Sequence, residues 1–419
     1  MKKSFNCVFP TIALAIVLFS TSAIYADEAI DPTPQLQQKV NEYLQTYAPD
    51  DQDAISAVSL SVSSPNISNP IIVNSGCVEK TPDITHCSTP ADNYHVQANN
   101  LYEIGSITKS FIAVILLQIE ATPGSNFNIN QKLSQYLPIP EGWGTAAGEI
   151  TVKQLLNMTS GVASFNDSNG DPFWLAFKNN PHYDFTSDQI VAYIQNEYLM
   201  FYPGANWYYS NTNYILAGQL VEKLTGHSLQ DEINTRIIQP LGLTNTFYVP
   251  NDYPDNTFAI DRRMVHGYME CSEFTAFPLG TEATYWSTSG SRGAGAIIAS
   301  PTDVMLWAHA LYTSPTLLQP QQRAELESLV DVKSGQPIVA PTPNDPGYGL
   351  GIFSIYGPNG ETVYFYNGAT LGYIVEYVYF PKEDITISLA VNSFNPDHNF
   401  QDMMGLINEV YSILINSVT

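Results

Sequence analysis

A serine and a lysine one helical turn apart are the residues in this sequence best suited to chemistry. Ser106 and Lys109 stand directly before an apolar run, residues 111–119, that indicates a buried helix. Side chains at positions i and i+3 share one helix face, so the lysine amine can reach the serine oxygen. The first turn of a helix also presents free backbone N–H groups and a partial positive charge. Such a serine is a candidate nucleophile, although a Ser-x-x-Lys sequence also arises by chance in a chain of this length.

A second polar cluster precedes another predicted helix, residues 212–224. Tyr209 and Asn211 flank Ser210 there. A phenol beside an ammonium group can have its pKa lowered toward a useful range, so Tyr209 is a candidate for moving protons. The amide of Asn211 can bind a substrate carbonyl or orient the lysine. The alternative interpretation is a helix-capping turn with a packed tyrosine.

Strand and helix patterns divide the chain into two kinds of region. Near the two ends, the patterns predict helices at 34–48 and 398–416 and strands at 58–63, 71–73, 362–367, 373–380 and 385–391. In the middle they predict helices at 152–158, 187–198, 213–224 and 229–238, and long loops at 245–290 and 333–347. We therefore expect an α+β fold, in which an antiparallel sheet from both termini is flanked by the terminal helices and lies beside an inserted all-helical lobe.

The first 26 residues have the features of an export signal. Lys2 and Lys3 precede an apolar run at 11–19, and small residues lead to a cleavage position after Ala26. The apolar run is too short to serve as a stable membrane anchor. We expect an exported protein, periplasmic or secreted, without a stable membrane anchor.

After the signal, residues 1–26, the predicted elements group into two domains. A discontinuous α/β sheet domain comprises residues 27–105 and 291–419, and a mainly helical lobe comprises residues 106–290. The formal net charge of −24, with only 16 basic residues in 419, argues against nucleic acid or anionic membranes as partners. No cofactor motif or metal-binding spacing stands out, so we expect a small peptide or acyl substrate and no cofactor or metal.

The cysteines agree with export. Cys77 and Cys87 lie ten positions apart, and a disulfide between them would stabilise the fold by about 2–3 kcal/mol. Cys271 is then left as a free, partly buried thiol. A zinc site that uses Cys77 and Cys87 with neighbouring histidines is the alternative, although the usual paired spacing is missing.

Several ordered segments resemble the serine penicillin-recognising enzymes, most closely the branch of class C β-lactamases and D-alanyl-D-alanine carboxypeptidases. Ser106-Ile-Thr-Lys109 and Tyr209-Ser-Asn211 are similar to the first and second boxes of that family. Residues 155–161, in which Met158 replaces a histidine, 210–228, 240–247, 293–300 and 348–351 are also similar. The resemblance covers most of the chain after residue 26. It implies a β-lactamase/transpeptidase-like fold with the site between the sheet and the helical lobe.

The third box departs from the family pattern. Tyr366 stands where the family has histidine or lysine, and Gly368 and Ala369 follow. Glycine is expected at 368 because a side chain there would block the approach of substrate to the strand. Tyr366 offers a hydroxyl but no positive charge at neutral pH. Phe353 falls where carboxypeptidase members place an arginine for the substrate carboxylate, and Arg292 is a candidate to compensate.

The resemblance also implies roles for the site residues. Lys109, directly or through Tyr209, takes the proton of Ser106, which attacks a carbonyl. The backbone N–H groups of Ser106 and Ala369 form the oxyanion hole. Asn211 and Trp286 contact the substrate, together with Tyr366 and Gly368 of the third box.

Three functions compete at this point. The landmarks favour a D-alanyl-D-alanine carboxypeptidase or β-lactamase-like hydrolase of cell-wall-type peptides. The uncharged third box favours an esterase or amidase for uncharged acyl substrates. A non-catalytic, penicillin-binding-like sensor is the third possibility, and the presence of all four residues Ser106, Lys109, Tyr209 and Asn211 argues against it.

Overall fold

The fold is organised around one large antiparallel sheet. The structure is a computed structural model that describes residues 31–47, 55–80, 94–167, 171–248, 250, 260–271 and 277–417. Its strands are β1 (Ala57–Ser63), β2 (Ile71–Gly76), β3 (Tyr102–Glu103), β4 (Thr246–Tyr248), β5 (Tyr268–Met269), β6 (Thr281–Glu282), β7 (Ile297–Ala299), β8 (Val330–Asp331), β9 (Gly347–Tyr348), β10 (Phe353–Tyr356), β11 (Thr362–Ala369), β12 (Ile374–Phe380), β13 (Ile385–Val391) and β14 (Ser393–Phe394). The large sheet has the order β2-β1-β13-β12-β11-β10-β9-β8.

Helices cover both faces of this sheet and form the second lobe. In the described residues the α-helices are α1 (Thr33–Tyr47), α2 (Thr108–Ala121), α3 (Val152–Leu156), α4 (Pro172–Asn179), α5 (Ser187–Ala192), α6 (Asn211–Thr225), α7 (Leu229–Ile233), α8 (Gln239–Leu241), α9 (Arg292–Gly295), α10 (Pro301–Thr313), α11 (Pro320–Leu326) and α12 (Pro396–Asn416). Helices α1 and α12 pack together and cover one face of the sheet, and α10 covers the other face. This arrangement confirms the α+β prediction.

The first strand shows how the two ends of the chain close the sheet. Strand β1 pairs antiparallel with β13, so that Leu60 faces Leu389 across the ladder. Valine and leucine alternate with serine along β1, a pattern typical of a half-buried strand, but both faces are buried. Helix α10 covers the serine face, and the hydroxyls of Ser59 and Ser61 find partners in Tyr102 (2.8 Å) and Thr302 (3.0 Å). Paired hydroxyls can be buried at little cost.

Helix α2 is the centre of the second lobe. Every residue from Thr108 to Leu117 is buried, because α2 is surrounded by α6, α7, α9 and α11. It contains the whole apolar run, residues 111–119, that follows the Ser-x-x-Lys sequence. A helix that is apolar on all sides is buried on all sides.

Several predicted boundaries in the helical region are wrong. Helices α3 and α5 end at Leu156 and Ala192, earlier than predicted, and the predicted helix 229–238 consists of α7 followed by a π-helical turn, Asn234–Ile238. The predicted long loop at 245–290 contains the short strands β4, β5 and β6. These strands join two small sheets, β3-β7-β4 and β5 with its neighbours β14 and β6. Strands of two or three residues are too short to give a readable alternation.

The described cysteines are Cys77 and Cys271, and neither carries a free thiol. The prediction of a free thiol at Cys271 is therefore wrong. Cys87 lies outside the described residues, so its pairing with Cys77 stays a prediction. Among the described helices, none combines the length and the apolar character needed to cross a membrane.

Candidate active site

A sharp turn places Ser106 between the sheet and the helical lobe. Ser106 lies in a 3-10 turn, Gly105–Ile107, that leads into α2. Gly105 has a φ of +48°, and a Cβ built there would lie 2.7 Å from the carbonyl oxygen of Ala369. Both the positive φ and the close approach of Ala369 therefore require glycine at position 105. The turn brings Ser106 against the end of β11.

Lys109 is positioned as the predicted base. Its Nζ lies 2.9 Å from the Oγ of Ser106 and 2.7 Å from the carbonyl oxygen of Ala294. The side chain is completely buried, and burial lowers the pKa of Lys109 well below the usual 10.5. An unprotonated amine has a lone pair that can accept the serine proton.

Tyr209 lies beside this pair, with its ring 4.9 Å from the Nζ of Lys109. Its hydroxyl is hydrogen-bonded to Ser106 and lies 3.2 Å from the hydroxyl of Tyr366. We expected a lowered pKa, but burial raises the pKa of Tyr209 to about 12. Burial also disfavours the ammonium form of Lys109, the group that we expected to lower the pKa of Tyr209. Tyr209 is thus a proton donor at neutral pH.

Tyr366 connects Tyr209 to further buried tyrosines. Its hydroxyl lies 3.0 Å from the hydroxyl of Tyr348, which is hydrogen-bonded in turn to Tyr214. Tyr214 donates a hydrogen bond of 2.7 Å to the carbonyl oxygen of Leu156. Burial raises the pKa of all these hydroxyls, so the network is uncharged. Tyr348 was predicted only as part of a segment that resembles the family, and Tyr214 was not predicted to belong to the site, because no spacing connects residues that meet only in the folded chain.

Gly368 and Ala369 lie against the nucleophile turn. A Cβ on Gly368 would lie 1.9 Å from the carbonyl oxygen of Ile104 and 3.0 Å from the amide nitrogen of Ser106. Glycine is therefore needed for the packing of β11 on the turn, and its role in the approach of substrate stays a prediction. Thr370 donates its N–H to Tyr373 across the ladder. Because antiparallel pairs alternate, the N–H of Ala369 points away from β12, toward the side of the turn.

The other predicted contact residues, Asn211 and Trp286, contact residues outside this cluster. The amide of Asn211 donates to the Oδ1 of Asn166 at 3.1 Å, and its backbone N–H donates to Ser164. Asn211 therefore contacts a neighbouring loop rather than orienting the lysine. The ring of Trp286 packs on Phe277 and Phe177, with centroids 4.5 and 5.7 Å away.

The site is lined by aromatic rings rather than by cations. The ring of Phe353 is parallel to that of Tyr209 within 5°, with centroids 6.4 Å apart. Arg292 donates to the carbonyl of Phe185 and to Asp184, both in the helical lobe. The basic side chain that contacts both Ser106 and the ring of Tyr209 is the buried Lys109.

The fold and this cluster define a class of protein. The sequence matches the Beta-lactamase family over residues 85–412, so the chain belongs to the β-lactamase family of serine hydrolases. Among solved structures, D-amino acid amidase from Ochrobactrum anthropi SV3 superposes with a TM-score of 0.71 and 21% identity, covering 92% of this chain and 99% of that one. A D-stereospecific amidohydrolase from Streptomyces sp. superposes with a TM-score of 0.68 and 24% identity, over 86% and 94%. At these identities the likeness shows the fold, and it confirms the predicted β-lactamase/transpeptidase-like architecture.

Curated relatives match part of their own length. Penicillin-binding protein 4* of Bacillus subtilis (strain 168) is 27% identical over 305 residues, which cover 70% of this chain and 61% of the relative. Protein flp of Staphylococcus aureus (strain COL) is 27% identical over 296 residues, or 70% and 52%. The alignments thus span between about half and three fifths of these relatives.

Proposed function

We propose that this protein hydrolyses uncharged acyl amides or esters through an acyl-enzyme on Ser106. The observation that carries the proposal is the 2.9 Å contact between the Nζ of Lys109 and the Oγ of Ser106, made by a completely buried lysine whose pKa is lowered. A buried amine whose pKa is lowered and that touches a hydroxyl supports nucleophilic catalysis.

In the first half of the reaction, Lys109 takes the proton of Ser106 as Oγ forms a bond to the substrate carbonyl carbon. The N–H groups of Ser106 and Ala369 stabilise the oxyanion, each contributing about 3 kcal/mol. The C–N or C–O bond of the substrate then breaks. Tyr209 gives its proton to the leaving group and regains one from Lys109, which leaves the acyl group on Ser106.

In the second half, water attacks the acyl-enzyme. Lys109 takes the proton of that water, directly or through Tyr209, and the bond from Oγ to the acyl carbon breaks. Ser106 leaves with a proton, and the free acid is released. No cofactor is needed for these steps.

The lining of the site supports an uncharged substrate. Tyr366 and Phe353 occupy the positions where the resembling carboxypeptidases place cationic groups, and Arg292 is engaged elsewhere. A substrate carboxylate would therefore lack a charge-assisted partner that is worth about 2–3 kcal/mol. Of the two structural neighbours, one is an amidohydrolase and the other an amidase, so both belong to the chemical class proposed here.

A D-alanyl-D-alanine carboxypeptidase or β-lactamase-like activity is the second candidate. The ordered sequence landmarks and the match to a penicillin-binding protein favour it. A non-catalytic sensor would keep the acylation step and lack turnover.

Labelling separates these functions. The wild type, Ser106→Ala and the exposed control Ser134→Ala are incubated with a fluorophosphonate and with a labelled penicillin, and covalent mass gain is measured. We expect fluorophosphonate labelling of the wild type and of Ser134→Ala only. Stable penicillin labelling without turnover of any ester favours the sensor. Hydrolysis of penicillin or of a D-Ala-D-Ala peptide faster than a neutral amide favours the second candidate, and labelling by neither probe contradicts the enzyme.

We further propose that the activity is exported, because residues 1–26 have the features of a signal. Amino-terminal sequencing of the protein recovered outside the cytoplasm tests this. A mature chain that begins at Asp27 supports export, and an uncleaved chain confined to the cytoplasm contradicts it.

A further inference from the structure

Met158 has a conformation that methionine rarely adopts. Its φ is +65°, in the left-handed region, and its side chain is completely buried. A non-glycine residue in this region costs free energy, which the surrounding contacts must offset. Met158 also stands where the segment of the resembling enzymes has a histidine. The contacts of Met158 must therefore account for its left-handed backbone and for the replacement of histidine.

Those contacts hold the segment that carries Tyr209. The carbonyl oxygen of Met158 accepts a hydrogen bond from the N–H of Tyr208 at 3.0 Å. Its Sδ accepts a hydrogen bond from the N–H of Ser210 at 3.4 Å. One residue thus binds the backbone immediately before and immediately after Tyr209. Fixing both neighbours restricts the direction in which the phenol projects.

The sulfur of Met158 accepts a second hydrogen bond, and this bond fixes the position of the sulfur. The Nδ2 of Asn213 lies 3.3 Å from the Sδ of Met158, and the Oδ1 of Asn213 accepts from the hydroxyl of Ser160 at 2.7 Å. Both Asn213 and Ser160 are buried. A thioether is a weak acceptor, but here it is the acceptor for two buried donors at the start of α6, where backbone N–H groups lack partners within the helix.

We propose that Met158 is a positioning residue for Tyr209, acting through the hydrogen bonds of its carbonyl oxygen and its sulfur to the two residues that flank the tyrosine. This inference rests on the role of Tyr209 in the proposed function. Leucine would fill a similar volume but would leave the N–H of Ser210 and the amide of Asn213 without an acceptor. Histidine would restore an acceptor, because a neutral imidazole has one unprotonated ring nitrogen, and it tolerates a left-handed backbone better.

Three variants test the inference. Met158→Leu removes the acceptor, and Met158→His at slightly alkaline pH restores one. Met305→Leu is the matched control, since Met305 is equally buried but lies in α10. Two quantities are measured for each variant: the acylation rate constant with a fluorophosphonate or an aryl ester, separated from the binding constant, and the hydrogen exchange of the backbone from Tyr208 to Asn213.

We expect Met158→Leu to lower the acylation rate constant about tenfold, as a small misplacement of a catalytic group does, with the binding constant changed less than about twofold. Exchange of the Ser210 amide should rise in the same variant. Met158→His should recover most of both properties, and Met305→Leu should change neither.

Failure of this inference can be distinguished from failure of the proposed function. If the wild type is acylated but Met158→Leu reacts at the wild-type rate, or if both variants at 158 slow the reaction equally, the inference is wrong and the proposed function stands. If the wild type is not acylated at all, the proposed function fails. Hydrogen exchange of the Ser210 amide then still decides whether Met158 holds the backbone on both sides of Tyr209. Should Met158→Leu fail to fold, Met158→Gln, which also carries an acceptor, must fold and must retain amide protection, or the inference is wrong.

Discussion

The hydroxyl of Tyr366 lies 3.2 Å from that of Tyr209, at the position where the resemblance leads us to expect histidine or lysine. Both side chains are uncharged, because burial raises the pKa of each phenol. The proton-transfer group of this site is therefore supported by a neutral hydrogen-bond network rather than by a nearby cation. This difference is the physical basis for proposing an uncharged substrate.

Loss of the Lys109 amine should remove the base. We expect Lys109→Met to fold, because it replaces a buried amine by an apolar chain, and to lower the acylation rate constant by about 10²- to 10⁴-fold. Stopped-flow acylation with an aryl ester measures the effect. The exposed Lys223→Met is the control and should react as the wild type does. Equal rates in the two variants would show that Lys109 is not the base.

The pH dependence follows from the pKa values of the two groups. Lys109 acts as a base only when it is unprotonated, and its pKa is well below 10.5, so kcat/KM should rise and reach a plateau at a pH far below that value. Tyr209 acts as a donor only when protonated, and its pKa is about 12, so the plateau should extend without decline through alkaline pH. Measurements from about pH 5 to about pH 10 test both limbs. A rise centred near the usual pKa of lysine would contradict a desolvated base.

Removal of the Tyr366 hydroxyl should impair the network without changing the shape of the site. Tyr366→Phe leaves Tyr209 and Tyr348 each without one partner. We expect kcat to fall about tenfold and the free energy of unfolding to fall by about 1–3 kcal/mol. Tyr411→Phe, which is buried far along the chain in α12, is the control for stability and should leave kcat unchanged. An unchanged kcat in Tyr366→Phe would mean that Tyr366 plays no part in proton transfer.

Two glycine substitutions should have opposite effects. Gly368→Ala places a Cβ 1.9 Å from a backbone oxygen, so we expect a loss of at least about 2 kcal/mol in stability and loss of activity. Gly405→Ala, within α12, meets nothing within 4 Å and should stabilise by about 0.5–1 kcal/mol. Thermal unfolding and ester hydrolysis of both variants measure these effects. An active, stable Gly368→Ala would show that β11 does not pack on the nucleophile turn as described.

A buried carboxyl outside the site should set part of the pH dependence of stability. Burial raises the pKa of Glu376 in β12 to about 8, and its Oε2 has no hydrogen-bond partner. In the unfolded chain the same group ionises near 4.5, so the folded state binds more protons between these values. Stability should therefore fall as the pH rises from about 4.5 to about 8.

Glu376→Gln should remove this dependence, because an amide does not titrate. Its melting temperature should exceed that of the wild type by a margin that grows toward alkaline pH. Glu409→Gln is the exposed control and should follow the wild type. A constant difference between Glu376→Gln and the wild type across this range would contradict the raised pKa.

Local sequence patterns were enough to predict the main strands and helices of the fold and the two motifs that contain Ser106 and Tyr209. Strand β13 was predicted with its observed bounds, and Lys109 meets Ser106 as helix geometry requires, because both depend on residues close in sequence. The pKa of Tyr209 was predicted in the wrong direction, since the burial that raises it is a property of the folded chain. Two features join residues that are far apart in sequence. One is the hydrogen-bond network through Tyr366, Tyr348 and Tyr214, and the other is the pair of hydrogen bonds from Met158 to the neighbours of Tyr209. A single sequence has no periodicity that reveals such contacts.

The central claim is that Ser106 becomes acylated during turnover. Rapid-quench mass spectrometry during hydrolysis of a neutral aryl ester, followed by peptide mapping, tests it most directly. The account predicts that the wild type gains the mass of the acyl group on the peptide that contains Ser106, and that Ser106→Ala gains no mass and does not hydrolyse the ester. An acyl group on a different residue, or hydrolysis that persists in Ser106→Ala, would contradict it.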